Sequence, residues 1–416
     1  MIQLSSIALY VNDKISSSDI SLEEYVTTDC MLQNKRGREI ATNLPPQPCS
    51  LIHYKPGDIL IANIRPYLKK IWYADMEGGA SSDVLVFRAK EGHSPEYLYA
   101  ALLQDAFFDY VMQGTKGSKM PRGDKEQIMR YEMPTLSTSE ESIGKFILDI
   151  NQKIQLNEQI NQNLEALAKQ LYDYWFVQFD FPNVEGKPYK SSGGKMRYCD
   201  ELQIMIPDDW NVCRLSEFVS KNNTGDWGAD NPSENSIEVG CIRGADIIKL
   251  NNLPNRYIKS SNRAKLLSEW DVVIEVSGGS PVQATGRSAF ITPGVIERNG
   301  GKITCSNFCH AFSFKDYKES AYFFYIWRMF YDNDIMFNYE GKTSGIKNFM
   351  TETFLANRWV KAPKELVYKF FDTIKGIYAK IDANITENND LIKQRDELLP
   401  LLMNGQVSLN SDLSHD

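Results

Sequence analysis

Apolar residues recur every three or four positions along two long stretches of this chain, and asparagine interrupts both at matching steps. The first seam runs Ile143, Ile147, Ile150, Ile154, Asn157, Asn161, Leu164, Ala168, Leu171, Trp175. The second runs Phe370, Ile374, Ile377, Ile381, Asn384, Asn388, Leu391, Arg395, Leu398, Leu402. Alternating steps of four and three are the coiled-coil period. The seams lie 227 positions apart (154 and 381, 157 and 384). A polar seam residue lowers stability but selects register and partner. Matched breaks therefore predict a duplicated unit whose two long helices pair with each other. Antiparallel pairing sets Asn157 against Asn388 and Asn161 against Asn384. Parallel pairing also stacks asparagine on asparagine, Asn157 on Asn384, and an amide satisfies either arrangement because it both donates and accepts. The seam does not choose between them. Connectivity favours antiparallel, which puts a globular part at each end of a spacer. The plainer alternative is two ordinary amphipathic helices, each packed on its own domain.

The repeat extends into shorter elements. Gly57-Asp-Ile-Leu-Ile-Ala matches Trp270-Asp-Val-Val-Ile-Glu, and Ser82-Asp-Val-Leu-Val-Phe matches Ser306-Asn-Phe-Cys-His-Ala-Phe. These β-branched and aromatic runs read as strands. A helical stretch follows each, then a Gly/Lys loop, Gly114-Thr-Lys-Gly-Ser-Lys and Gly341-Lys-Thr-Ser-Gly-Ile-Lys, then a Pro-bearing segment. Ser94, Pro95 and Glu96 make a helix start, as cap, first position and acid at the positive end. Thr138 with Glu141 forms a capping-box pattern for the first long helix. That helix should reach about Phe176, so some 38 residues would span roughly 57 Å. Pro400 should kink or end the second near Leu399. The expected architecture is mixed α/β: two globular domains separated by two long antiparallel helices in a coiled coil, related by a pseudo-twofold repeat. The expected limits are 1–137 for the first domain, 138–182 for the central helix region, 183–365 for a linker and the second domain, 366–410 for the terminal helix region, and 411–416 for a polar tail. Residues 183–200, rich in Gly, Ser and Lys, read as the linker.

Composition narrows the class without deciding it. With 416 residues, 42% hydrophobic and 24% charged, the chain can build two or more ordinary cores. A net charge of −8 excludes a uniformly basic protein but not local basic patches. No apolar run is long enough to span a bilayer, and the first ten residues lack a signal-peptide pattern, so a cytoplasmic protein is expected. The seven cysteines are scattered, with only Cys305, Cys309 and His310 clustered, and reduced core thiols are expected rather than a metal site.

Recognisable catalytic patterns fail one by one. Gly341-Lys-Thr invites a phosphate-loop reading, but the earlier glycine would fall at Met336. No Gly-x-Gly-x-x-Gly run occurs. Asn43-Leu-Pro-Pro resembles an adenine-methyltransferase motif, but Leu44 interrupts it and Gln47 replaces the ring. Asp271 with Glu275 has a nuclease flavour, but Ser277 stands where lysine is wanted. His53, His93, His310 and His415 have no Ser or Cys partner at recognisable spacing. No catalytic residue is assigned, and a binding protein is expected.

The segment Lys153-Ile-Gln-Leu-Asn-Glu-Gln-Ile-Asn-Gln-Asn-Leu-Glu-Ala-Leu-Ala-Lys-Gln-Leu-Tyr-Asp-Tyr-Trp-Phe-Val-Gln-Phe-Asp-Phe-Pro closely resembles the central region of specificity subunits from type I restriction-modification systems. Gly186-Lys-Pro-Tyr-Lys-Ser-Ser-Gly-Gly-Lys, Ile206-Pro-Asp-Asp-Trp and Leu391-Ile-Lys-Gln-Arg-Asp-Glu-Leu-Leu-Pro-Leu-Leu-Met-Asn-Gly-Gln-Val resemble that family too. The resemblance implies two target-recognition domains, each reading half of a split double-stranded DNA sequence, with the helices as a ruler. It implies two modification subunits that methylate adenine with S-adenosylmethionine, and restriction subunits that use ATP and Mg2+. It implies no catalysis or cofactor in this chain. Tyr172, Trp175, Phe176 and Phe179 are then expected on an apolar face that modification subunits cover. Helices tens of Å long would hold two readers about one and a half turns of B-DNA apart, at ~34–36 Å per turn. The alternatives are a subunit of a methyltransferase-only complex, a self-contained nuclease or methyltransferase, and a scaffold that binds only protein.

The candidate DNA-binding residues follow from local positive charge. Arg65, Lys69 and Lys70 lie together without an intervening acid, and Lys116, Ser118, Lys119 and Arg122 crowd the first Gly loop with Lys125. Lys342, Thr343, Ser344, Lys347 and Asn348 form the second loop, while Arg243 and Arg287 sit among small residues. Arg256, Lys259, Arg263 and Lys265 make a further acid-free run. Such side chains neutralise phosphates, and a subset reach base edges. Most surface Lys and Arg merely solvate a face, so the recurring loops rank first, then Arg65 and Arg243.

Overall fold

The computed structural model describes residues 1–115, 117, 119–133, 140–280, 282–343 and 346–409. Thr138 of the expected capping box and the tail 411–416, with His415, lie outside the described residues. The chain forms two compact units, Met1–Gln159 with Glu387–Asp416, and Ile160–Thr386, so each long helix contributes to both.

In the first unit, four antiparallel strands lie in the order Ala8–Tyr10, Val84–Ala89, Ile59–Ala62, Ile71–Tyr73. The central strand Ile59–Ala62 is apolar at every position because both its faces are covered. Side chains alternate across a strand, so Ile59 and Ile61 enter one core while Leu60 and Ala62 enter another. The first core also holds helix Pro95–Leu103 and Ile143, Ile147, Leu399 and Leu402 of the long helices. The second is closed by a sheet in the order Lys14–Ser16, Ser50–Tyr54, Gly78–Ala80, Tyr25–Val26, whose last pair is parallel. Ser94 caps helix Pro95–Leu103 as expected, its Oγ accepting the Tyr97 amide at 3.1 Å.

The second unit repeats the plan. Its antiparallel sheet runs Val219–Thr224, Cys309–Phe314, Val272–Glu275, Ser288–Phe290. Val272 and Ile274 face one core, and Val273 faces the other. The matched motifs thus occupy equivalent strands. The second sheets diverge. Both hold a parallel pair, Tyr25–Val26 with Gly78–Ala80 and Ser236–Ile242 with Ile303–Cys305. The next strand joins Gly78–Ala80 in one unit but Ser236–Ile242, as Asn255–Lys259, in the other.

The long helices are Glu140–Tyr172, continued by a π-helical turn Asp173–Val177, and Lys364–Met403. Thirty-three α-helical residues span roughly 50 Å. In the first unit Asn157 Nδ2 donates to Asn388 Oδ1 at 2.9 Å, and Asn388 Nδ2 donates to the Ile154 carbonyl at 3.2 Å. Arg395 donates to Asn151 Oδ1 at 2.7 Å, so the segments run antiparallel. In the second unit Asn384 Nδ2 donates to Asn161 Oδ1 at 2.8 Å, and Asn161 Nδ2 to the Ile381 carbonyl at 3.5 Å. Exchange each residue for its partner 227 positions away and these four asparagine bonds interchange; Asn157 Nδ2 also donates to Glu387 at 2.7 Å, where the image position is Ile160. Phe176 and Phe370, with ring centroids 5.0 Å apart, show the same antiparallel sense.

Three expectations change. The second helix passes through Pro400 and ends at Met403. Proline removes one donor and crowds the carbonyl four residues back, at a cost of about 3 kcal/mol or more in a helix interior. Here only the last turn is affected, and the buried Leu399, Leu402 and Met403 hold it in the core. Gly405, at φ +69°, then closes the helix: its amide reaches the Leu402 carbonyl and that of Gln406 reaches Leu401. Second, residues 183–200 are folded despite their linker-like composition. Asp180 accepts the Ser191 amide and hydroxyl at 2.7 and 2.6 Å, and Phe181 stacks on Tyr189 and Trp210. Third, Tyr172, Trp175, Phe176 and Phe179 are core residues of the second unit, not an open face. The π-helical turn and a left-handed Phe179 (φ +63°) bring these rings against Trp210, Tyr322 and Phe370. The exposed apolar residues of this stretch are Leu156, Leu167, Tyr174 and Val177. Among the described residues, no helix is long and apolar enough to cross a membrane.

Candidate nucleic-acid interface

In the first unit, strand Ile59–Ala62 runs out into Asn63, Ile64 and Arg65, and the segment after the first Gly loop lies against it. Ile64 bridges to Arg122, the Arg65 amide donates to the Pro121 carbonyl at 2.8 Å, and Gly123 donates to Asn63 at 3.2 Å. A β-carbon on Gly123 would lie 2.8 Å from Asn63 Oδ1 and 2.9 Å from Val111 Cγ1, so a larger residue here would force those side chains to shift. Sequence-distant Arg65 and Arg122 thereby share one rim, with Lys119 two residues before Pro121 in the chain.

Several candidate cations on this unit are already engaged. Lys69 pairs with Asp105 at 2.8 Å, Lys70 donates to the Thr28 carbonyl at 2.7 Å, and Arg122 pairs with Asp83 at 3.1 Å. The buried Lys35 also pairs with Asp105. Burial pushes the Asp105 carboxyl up, but hydrogen bonds and charge from Lys35 and Lys69 outweigh it and hold the group below its ordinary value. Arg65 and Lys119 are exposed, and neither side chain meets a carboxylate, carbonyl or ring among the described residues. Lys116 and Ser118 lie outside the described residues.

In the second unit, strand Val272–Glu275 likewise runs out to Ser277–Gly278. That pair is antiparallel to Ile346–Phe349, with Ser277 opposite Asn348 and Gly278 opposite Lys347. Strand Glu340–Thr343 completes a three-stranded ribbon. Ile64 with Arg122 and Ser277 with Asn348 are thus equivalent contacts of the repeated plan. Ser277 donates to Asn348 Oδ1 at 2.6 Å. Lys347 pairs with Glu340 at 3.0 Å and sits over the Phe337 ring. Lys342 and Thr343 belong to the ribbon's backbone, but their side chains, like Ser344, lie outside the described residues.

Arg287 holds Glu275 through two hydrogen bonds of 2.7 and 2.6 Å at a largely buried place. The hydrogen bond to Glu275 raises its pKa above the usual arginine value. Glu275 therefore serves an ion pair, which removes the acidic partner that a nuclease reading of Asp271 would need. Arg243 is half-exposed and bidentate to Asp246 at 2.7 and 2.8 Å. Arg256 is buried over the Trp227 ring at 4.2 Å, and Lys265 donates to the Gly225 carbonyl at 2.9 Å. Both brace their own loops. The local sequence had no acid near most of these cations. Asp83 and Asp105 come from distant elements and carry no local signal, whereas Asp246, Glu340 and Glu275 lie three, seven and twelve residues from Arg243, Lys347 and Arg287.

All seven cysteines are free and only Cys49 is exposed. Burial pushes the Cys241 and Cys309 thiols up to about 12. Among the described residues, no group of three or more His, Cys, Asp or Glu side chains is placed to hold a metal ion.

No protein-family model matches the chain. It is 24% identical over 413 residues to the type I restriction enzyme MjaIX specificity subunit of Methanocaldococcus jannaschii, covering 94% of this chain and 86% of that protein. It is 24% identical over 453 residues to the HindI specificity subunit of Haemophilus influenzae, covering 92% and 94%. The crystal structure of a type I restriction-modification S subunit from M. genitalium shares the fold, with a TM-score of 0.55 and 13% identity over 96% of this chain and 94% of that one.

Proposed function

We propose that this chain, a relative of type I restriction enzyme specificity subunits along nearly its whole length, is the DNA-reading subunit of such a complex. Each unit takes one half of a bipartite duplex target, and the chain itself carries out no chemistry. The observation that supports this most is the recurrence of one rim. In both units the strand after the repeated Asp-apolar run meets the segment after a Gly/Lys loop, through Ile64 and Arg122 in one and Ser277 and Asn348 in the other. A duplicated rim suits two readings of a duplex better than a single catalytic centre.

Two modification subunits that methylate adenine with S-adenosylmethionine are the proposed partners, with restriction subunits using ATP and Mg2+ joining them. The exposed Leu156, Leu167, Tyr174 and Val177 are proposed as part of the surface the partners cover. The seam amides act as register pins, so the long helices set the gap between half-sites. Sequencing methylated adenines in cells that carry the chain with its partner subunits tests the reading. A two-part motif with one fixed gap is expected, and it should disappear when the chain is deleted. A contiguous motif, or an unchanged pattern after deletion, would refute it.

A further inference from the structure

The rim of the first unit carries one side chain whose backbone is held on several sides while its functional group is unengaged. Arg65 has a left-handed backbone, φ +53° and ψ +61°, immediately before the buried Pro66. L side chains adopt that region rarely, and proline disfavours a helical conformation for the residue before it. Three contacts impose the geometry. The Arg65 amide donates to Pro121 at 2.8 Å, its carbonyl accepts from Leu68 at 2.9 Å, and Ile64 bridges to Arg122. Neighbouring cations are restrained by protein groups: Lys69 by Asp105, Lys70 by Thr28, Arg122 by Asp83. The exposed Arg65 guanidinium meets no such group among the described residues. Strain at an exposed, unengaged polar side chain is the kind of outlier from which function is inferred.

We propose that Arg65 reads a guanine in the half-site taken by the first unit, an assignment that rests on the DNA-reading role above. The guanidinium is a planar fork of donors that matches the O6 and N7 acceptors a guanine presents in the major groove. A pinned Cα aims that fork, which a phosphate contact does not require. Lys119, a flexible point charge on the adjoining segment, suits phosphate instead. The assignment is asymmetric. Counting from the repeated Asp-apolar runs, Arg65 corresponds to Gly278, which lies opposite Lys347 in the ribbon and offers no side chain. The guanine requirement set by this position therefore belongs to one half-site.

The test selects bound duplexes from a randomised pool, using the full-length chain purified with its partner subunits, and sequences them. Arg65→Gly removes the guanidinium and accommodates the left-handed backbone; Arg65→Gln offers an amide suited to adenine. The wild type should enrich a split motif. Arg65→Gly should lower the preference for guanine at one position of one half by about 5- to 150-fold and leave the other half intact. Arg65→Gln should move that position towards adenine. The same motif from wild type and both variants overturns the assignment alone. So does a uniform weakening across all sequences with a salt slope shallower by about one, the mark of a phosphate contact. A wild-type chain that enriches nothing overturns the DNA-reading role and this assignment with it. The intact second half serves as the internal measure of folding.

Discussion

The two units place the same backbone contact at their rims and differ in which cations there are engaged. In the first, Lys69, Lys70 and Arg122 are held by Asp105, Thr28 and Asp83, while Arg65 and Lys119 are exposed without partners among the described residues. In the second, Arg287 is held by Glu275, Lys347 by Glu340 and Arg243 by Asp246. A repeated scaffold thus fixes where a loop sits without fixing what its charges do. The long helices repeat the lesson. Their asparagine pairs are images of each other, but the buried Asn151–Arg395 pair in the first unit corresponds to Tyr378 and Ala168 in the second. Register devices are duplicated; the contacts that distinguish one half from the other are not.

That contrast is sharpest at Arg287. Removing one partner of a buried ion pair leaves the other uncompensated, so Arg287→Ala should destabilise by about 3–5 kcal/mol in denaturant unfolding. Arg65→Gly should leave the unfolding midpoint unchanged. Equal losses would erase the distinction between a structural and a free arginine.

The seam comes next. Asn157→Leu strands the Asn388 carbonyl oxygen and should cost about 1–3 kcal/mol. The image substitution, Asn384→Leu, should cost a similar amount by removing the donor to Asn161. Thermal melts that separate the two by several kcal/mol would show that the images are not equivalent. Replacing both Asn157 and Asn388 with Leu should be neutral or stabilising by about 1 kcal/mol, because apolar groups replace both partners. Its cost should be relaxed register, read as a change in the gap of the methylated motif.

Acid gives the smallest effect. The Asp105 and Asp246 carboxyls lie below their ordinary values because Lys35, Lys69 and Arg243 outweigh burial. Folding stability from such groups is present above their unfolded pKa, near 4, and is lost as pH falls through the lower folded value. Unfolding measured between pH 5 and 2 should therefore show a steeper decline in the wild type than in Lys69→Ala, with a difference below about 1 kcal/mol because the pair is exposed.

Much of the fold was readable because its signals are local or periodic. Ser94, Pro95 and Glu96 announce a helix start, and the repeated Asp-apolar runs announce equivalent strands. The asparagine steps announce paired helices because amides at seam positions have few other uses. Composition misled where burial decided. Residues 183–200 look like a linker, yet Asp180 and Phe181 organise them. Pro400 looks like a stop, yet buried neighbours carry the helix past it. Tyr172, Trp175, Phe176 and Phe179 look like an open face, yet a π-helical turn folds them inward.

The candidate site was less legible, since charge in sequence says nothing about what lies across a turn. Lys69 and Lys70 read as free as Arg65 does. The chain alone determined that there are two copies of one plan and that asparagine sets their helices in register, because periodicity survives without knowledge of neighbours. Tertiary structure alone decided which cations stay available, because Asp83 and Asp105 reach Arg122 and Lys69 only after distant strands and loops are folded together.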